Sequence, residues 1–393
     1  MSLMAWLVAL WGGIFSLAWI AIGLVSLQAA VRFRTMRDLD APEPSRWPRL
    51  SVIIAACDEA GTIGPALSTH LASDYPDLEI VVVNDRSTDR TGAILDEIAG
   101  RDSRVRAVHV RELPAGWLGK VHALNEGVAA ASGEWLLFTD ADVHFGPDTL
   151  RRAVAHAAAH GIDHLAVAPN VITPARVLEI TSAAFATSYL VGTGASRVDR
   201  PGSRGYAGIG AFNLVRRAAF ERTPGFPWLR LEIVDDLGLG LMMRDAGAKR
   251  AFCFGIGDLD ITWYHTFSAM AQGLEKNLYA CFCHYKPVRL LAFLAGGALF
   301  LPAPFVALAA KPRPWLPILG IVALAIFLID AALLAVKARR SFVSLVLAPA
   351  GGILLAGLIA RSAYKCIRDG GVTWRGTFYP LAALRENQRV KLW

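Results

Sequence analysis

The sequence predicts an α/β chain, a mostly parallel sheet with helices on both faces, flanked by transmembrane helices at both ends. Three observations carry this. Buried-strand runs alternate with helical segments between residues 50 and 260. Clusters of polar residues follow the strand ends directly, where open sheets of this kind bind ligands. Long apolar runs sit at the two ends and account for a chain of 393 residues that is 54% hydrophobic, with mean hydropathy +0.41.

Met4 to Leu27 is uncharged, apolar and long enough to span a bilayer of roughly 30 Å. It ends at Arg32, Arg34 and Arg37, and no basic residue precedes it. Residues 1–31 are therefore expected to form an N-terminal anchor rather than a cleaved signal peptide. The positive flank places the N-terminus outside and Arg32 onward in the cytoplasm. Residues 32–49, with Pro42, Pro44 and Pro48, form a short stiff linker.

Residues 50–262 make the globular domain. Leu50 to Ala56 is a buried-strand signal, followed by Cys57-Asp58-Glu59 and a helix. Leu78 to Val83 repeats the pattern and ends in Asn84-Asp85-Arg86-Ser87-Thr88-Asp89. A helix from Thr91 to Ala99, a strand from Val105 to Val110, a helix from Lys120 to Ala131 and a strand from Glu134 to Thr139 follow. The last strand runs into Asp140-Ala-Asp142, two carboxylates one residue apart. Such a pair offers oxygen ligands to Mg²⁺ or Mn²⁺, with substrate phosphates and water completing the shell.

Ser51-Val-Ile-Ile with Asp58-Glu59, then Val83 to Thr91, then Asp140-Ala-Asp142 resemble family 2 glycosyltransferases of the GT-A fold, a Rossmann-like architecture. The resemblance covers residues 48 to 260. It implies an inverting enzyme with a nucleotide-diphosphate sugar as donor. Pro114-Ala-Gly-Trp117-Leu-Gly-Lys120 and Gly370-Gly-Val-Thr-Trp374-Arg375-Gly376-Thr-Phe-Tyr-Pro are similar to membrane members that glycosylate lipids, the hopanoid-associated, carotenoid-acid and ceramide glucosyltransferase-like branches.

The resemblance implies that Asp85 contacts the nucleotide and that Asp58 and Glu59 wall the same pocket. Asp89 reads equally as a cap for the next helix. Lys120 stands at a helix start after Gly116 and Gly119, a setting that favours phosphate. Trp117 either stacks on a base or sugar or pins the loop. Asp140 and Asp142 are the expected metal ligands, with His265 as a weaker third, and His144 reads as loop packing. Asp236 is the expected base for the acceptor hydroxyl, with Asp235 second. The family usually shows Glu-Asp where this chain has Asp235-Asp236. Adjacent carboxylates repel, which raises the pKa of one towards the range a base needs. Gly205 to Asn213 resembles the glycine-rich loop on the acceptor side.

Phe267, Met270, Ala271, Leu274, Leu278, Cys281 and Tyr285 recur at helical spacing, opposite Gln272, Glu275, Lys276 and His284. Residues 263–289 are therefore expected to form one amphipathic helix in the membrane interface. The Gln-x-x-Arg-Trp motif of processive polysaccharide synthases is absent. Within residues 290–368, Leu290 to Ala310 and Trp315 to Val336 read as two spans, and Phe342 to Ala360 as a broken or third span interrupted by Pro349, Gly351 and Gly352. Residues 369–393 form a tail expected to face the cytosol.

The expected acceptor is a membrane lipid, and the expected setting is the bacterial inner membrane with the catalytic domain in the cytoplasm. The net charge of +7 clusters beside the apolar runs, which fits juxtamembrane anchoring, and no basic stripe points to nucleic acid. The five cysteines are odd in number and form no metal-binding double pair. No sequence feature identifies a protein partner.

Overall fold

The computed structural model describes residues 3–310 and 315–392, so Lys311 to Pro314 lie outside the described residues. After α1 (Leu3–Val31) the chain lays down β1 (Leu50–Ala56), α2 (Ile63–Leu71), β2 (Leu78–Asp85), α3 (Thr91–Arg101), β3 (Val105–Val110), α4 (Gly119–Ala130) and β4 (Trp135–Asp140). These are the elements the alternating pattern predicts, with ends displaced by one or two residues. Then come β5 (His144–Phe145), α5 (Thr149–Ala159), β6 (His164–Val171), α6 (Arg176–Thr193), β7 (Asn213–Arg216), α7 (Arg217–Phe220), α8 (Asp235–Asp245) and β8 (Arg250–Ile261).

The eight strands form one sheet in the order β3-β2-β1-β4-β7-β6-β8-β5. β3, β2, β1 and β4 run parallel, and β7 runs antiparallel to both β4 and β6. β1 and β2 are nearly continuous apolar runs because both their faces are covered. Ile53, Leu136 and Phe138 face one core, whereas Val52, Ile54 and Leu137 face another. The register sets Ala55 opposite Asp140 and Ala56 opposite Asn84. The chain leaves β1 towards β2 on one side, while β4 lies on the other. This switch point gathers the polar strand ends into one crevice.

Beyond the sheet the chain continues through α9 (Phe267–Leu274), α10 (Leu278–Cys283), α11 (Pro287–Phe300), α12 (Ala303–Ala309), α13 (Trp315–Lys337), α14 (Phe342–Val346), α15 (Ala348–Arg368), β9 (Gly371–Trp374), β10 (Thr377–Pro380) and α16 (Leu381–Asn387). Among the described residues four segments are long and apolar enough to cross a membrane: Trp6–Val31, Pro287–Ala309, Trp315–Lys337 and Ala348–Arg368.

Three of the four pack on one another. α1 and α13 run side by side in the same direction. Ser26 Oγ donates to Asp330 Oδ2 at 2.6 Å, and Lys337 Nζ donates to the Val31 carbonyl at 2.8 Å. α11 and α12 run the opposite way, with Trp11 and Trp19 donating to the Leu299 and Phe300 carbonyls. The Phe342 to Ala360 segment is interrupted at Leu347, between α14 and α15, and a second interruption lies at Leu301-Pro302, between α11 and α12. Pro302 has no N–H for an interior helical bond. Pro349, Gly351 and Gly352 fall in the first turn or two of an unbroken α15, where proline is tolerated.

α15 touches that bundle at α11 but packs chiefly on the globular domain. Gly351 packs against the Ile180 carbonyl of α6, and further along the Tyr279 N–H donates to Ser362 Oγ at 3.0 Å. Leu355, Ile359 and Ala363 share a core with Leu136 and Phe138 of the sheet. The helix thus lies along the globular domain over its whole length, and the tail after it stays on the domain.

The helix expected over residues 263–289 is corrected in two respects. It is two helices, broken at Glu275 to Asn277, and α10 is buried on every side. The residues on its expected polar face are not a solvated stripe. Glu275 accepts from Arg361 Nε and Lys365 Nζ of α15, both at 2.7 Å. His284 is buried.

Candidate active site

Asp140 ends β4, Asp235 and Asp236 open α8, and Lys120 lies in the first turn of α4. The fold brings all four to one point. Lys120 Nζ lies 2.7 Å from Asp140 Oδ1 and 3.4 Å from Asp235 Oδ2. Burial works against the ammonium, but Asp140, Asp235 and Asp236 around it hold its pKa above the ordinary lysine value. Lys120, expected at the diphosphate, here ties the acid of the β4 end to the acids of α8.

Asp236 is held by two backbone N–H groups. Leu237 N donates to Oδ1 at 2.8 Å and Gly210 N to Oδ2 at 3.0 Å. A side chain at Gly210 would collide with the Asp140 carboxylate, and one at Gly208 with the Asp236 backbone. The glycine-rich loop is therefore a close-approach surface rather than a slack turn. Burial raises the pKa of both Asp235 and Asp236. The Asp235 charge adds to the shift at Asp236, while Lys120 opposes it at each. Such a pair shares its titration.

Asp142 is half-buried, and its pKa is pushed up to about 6 by burial and then by the charges of Asp140 and Glu59. Glu59, Asp140 and Asp142 thus form a rim of excess negative charge at the switch point. This is the observation that fits a hard divalent cation to Asp140 and Asp142, with remaining positions left to phosphate oxygens and water. His265 stands exposed after β8, and no cluster of three or more ligating side chains exists among the described residues. His144 lies in β5, paired with Asp260.

The polar residues after β1 and β2 are engaged with one another. Asp85 is buried, and its carboxylate takes Arg86 Nε at 2.8 Å and Nη2 at 3.0 Å. Gly119 leaves the room this pair needs, since a Cβ there would overlap Asp85 Oδ2. Asp58 Oδ1 accepts from Thr88 N at 2.7 Å and Asp89 N at 3.3 Å, tying the loop after β1 to the loop after β2. Asp89 accepts from Thr91 N at 2.9 Å, at the start of α3, and from Ala60 N at 3.0 Å. Trp117 packs edge-on to His122, with ring centroids 5.5 Å apart.

Sequence reasoning allows Trp374-Arg375 to lie near the site but misses the partners that the tail finds there. β9 and β10 form a hairpin whose two-residue turn is Arg375-Gly376, both at positive φ. Arg375 Nη2 reaches Glu59 Oε1 at 2.5 Å, and Lys276 Nζ lies 3.4 Å from the centroid of the Trp374 ring. Farther on, the buried Glu232 accepts from Arg389 N at 2.6 Å, Val390 N at 2.9 Å and Val234 N at 3.2 Å. It thereby fastens the tail to the segment that carries Asp235 and Asp236. The Trp-Arg-Gly run was the visible signal for the hairpin. No sequence signal linked Glu232 to residues more than 150 positions away.

A cavity of about 1200 Å³ runs through the site. At one end it is lined by Lys120, Asp140, Asp235 and Asp236. At the other it reaches Ala29 and Phe33 after the apolar stretch of α1, and Leu334 and Ala338 at the end of α13. Between them the wall is the inner face of α6, with Ala183, Phe185 and Tyr189.

Residues 51–223 match the family model described as glycosyl transferase family 2. The chain is similar to beta-monoglucosyldiacylglycerol synthase of Synechocystis, with 30% identity over 58% of this chain and 48% of that protein. It is also similar to 4,4'-diaponeurosporenoate glycosyltransferase of Staphylococcus aureus, with 29% identity over 58% of this chain and 60% of that one. This chain thus aligns with only about half of the first of these relatives. In structure it resembles a mannosyltransferase from Pyrobaculum calidifontis, solved with GDP-Man and Mn2+, at 20% identity and TM-score 0.51 over 92% of this chain and 99% of that one. That likeness is one of fold and spans nearly the whole of both chains. Residues 51–223 thus match the glycosyl transferase family 2 model, within a chain that has a GT-A fold.

Proposed function

We propose that this protein is a membrane-bound inverting glycosyltransferase that moves a sugar from a nucleotide-diphosphate donor to a lipid. The observation that carries the reading is the cavity joining Asp236 to the ends of α1 and α13. An acceptor whose chain lies between α6 and those helices presents its head to the catalytic acids without leaving the protein. The two relatives whose names specify a glucosyldiacylglycerol and a diaponeurosporenoate product or substrate support a lipid acceptor.

In this reading the acceptor hydroxyl lies against Asp236. As its oxygen bonds to the anomeric carbon, its proton passes to an Asp236 carboxylate oxygen and the bond to the diphosphate oxygen breaks on the opposite face. The raised pKa makes Asp236 a competent base near neutral pH. The N–H groups of Gly210 and Leu237 orient the carboxylate. Lys120, 3.4 Å from Asp235 Oδ2, opposes the rise in the Asp235 pKa and holds that carboxylate away from the acceptor's place. Asp140 and Asp142 would hold Mg²⁺ or Mn²⁺, which when bound neutralises charge on the leaving diphosphate.

The Arg32, Arg34 and Arg37 flank supports a catalytic domain in the cytoplasm, facing the inner leaflet of a bacterial inner membrane. The test is a cavity block. Ala183→Trp should abolish transfer from labelled nucleotide sugars to extracted membrane lipid, while slow donor hydrolysis by water persists. Undiminished lipid glycosylation would remove the cavity as the acceptor path.

A further inference from the structure

Two cations reach the rim of the site from segments that lie after the strands. Lys276 comes from the turn between α9 and α10. Its side chain is directed into the cavity wall beside Asp235 and Asp140. Among the described residues the Lys276 ammonium has no ion pair or hydrogen bond, and its contact is the face of Trp374. Burial and then the neighbouring Lys120 push the Lys276 pKa down to about 7, so a lysine held inward here without a carboxylate partner is a group whose charge an anionic ligand would restore and complete.

Arg375 comes from the tip of the β9–β10 hairpin, next to the residue on which Lys276 rests. It lies on Glu59, the acid that borders Asp142. Both members of this pair keep contact with solvent, so the pairing is screened and open to exchange. A guanidinium fork matches a phosphate as well as a carboxylate. The hairpin is itself anchored on both sides of the donor pocket, Arg86 Nη1 donating to Thr377 at 3.4 Å.

We propose that Lys276 and Arg375 form a cationic wall, built by the segment beyond the last apolar helix, that takes the diphosphate of the donor. The proposal rests on the glycosyltransferase reading and deepens it. The two cations converge at the Glu59, Asp140 and Asp142 rim, not at the apolar end of the cavity, and this assigns them to the donor rather than to the lipid. A leaving nucleoside diphosphate gains negative charge as its bond to the sugar breaks, and fixed cations beside it are the means of stabilising that charge. The tail is thereby part of the donor site, although the sheet that defines the family domain ends more than a hundred residues before it.

The experiment is equilibrium binding to the full chain in detergent, by calorimetry, with UDP and GDP each in the presence of Mn²⁺ and the matching monophosphates as controls. For whichever diphosphate the wild type binds, Arg375→Ala and Lys276→Gln should each weaken binding by about tenfold or more, whereas monophosphate binding changes far less. Arg375→Lys should restore part of the loss. Lys276→Gln leaves the hairpin sequence intact and so reports independently of any misfolding there. Unchanged diphosphate affinity in both variants overturns the proposal, as does an equal loss for the two phosphate lengths, which would mark a role in shape alone. If the wild type binds neither UDP nor GDP, the donor reading falls first and the wall with it.

Discussion

Lys120 Nζ lies 2.7 Å from Asp140 Oδ1, and through this contact the end of β4 is electrically joined to the start of α8. The same ammonium lowers the pKa of Asp235 and Asp236, whose acidity burial would otherwise weaken further.

Removing that charge has a definite sign. A base acts when ionised, so kcat/KM should rise with pH through the raised pKa of the Asp235-Asp236 pair. In Lys120→Met the pair loses its cation and its pKa rises again. The rising limb of the pH profile should move to higher pH, with turnover at pH 6 lower by about tenfold or more. A limb that stays in place would show that Lys120 does not act on the base.

Asp236→Asn keeps shape and hydrogen bonding but removes the basic oxygen. Single-turnover transfer to a lipid hydroxyl should drop by roughly 10²–10⁴-fold with donor affinity near wild type. Asp235→Asn should cost less, unless the two acids share one proton. Near-normal transfer by Asp236→Asn would move the base to Asp235 or point to an acceptor that is already ionised.

Asp142→Asn addresses the metal. The substitution removes one negative charge from the Glu59, Asp140 and Asp142 rim. Donor affinity measured with Mn²⁺ should weaken, and the enhancement by Mn²⁺ over metal-free buffer should shrink, while the melting temperature holds. Equal enhancement in both proteins would remove Asp142 as a ligand.

Glu232 predicts a stability effect. Truncation to alanine leaves the Arg389 and Val390 N–H groups without their acceptor, at a cost of roughly 1–3 kcal/mol. The pKa of Glu232 is pushed up to about 7 by burial, against the pull of its three backbone donors. Its folded value lies above its unfolded value, so its contribution to stability is fully present below the ordinary glutamate range and is lost as pH rises towards 7. Thermal melts between pH 4 and 8 should therefore show a flatter pH dependence in Glu232→Gln than in the wild type.

Much of the site was legible because its chemistry sits at the ends of long apolar strands. β1, β2 and β4 are covered on both faces, so each reads as a continuous hydrophobic run, and Asp85 and Asp140 stand out where the run stops. Short elements were not legible. β5 and β7 have two and four residues, too few for a period, and exist because neighbouring strands supply their hydrogen bonds. The helical spacing of Phe267 to Tyr285 was real, yet it concealed the break at Glu275, whose partners Arg361 and Lys365 come from a distant helix.

The sequence by itself determined the strand–helix alternation, the carboxylates at the switch point, the acid pair that opens α8 and the apolar segments at the two ends. Each of these is a local property, set by the period of burial or by the residues that follow a strand. Only the tertiary structure decided that Lys120 stands between Asp140 and Asp235, that α15 lies along the domain, and that the tail returns to Glu59 through Arg375 and to the segment before Asp235 through Glu232. Those contacts join residues far apart in the chain. They depend on where packing brings two surfaces together, and the composition of neither surface states that alone.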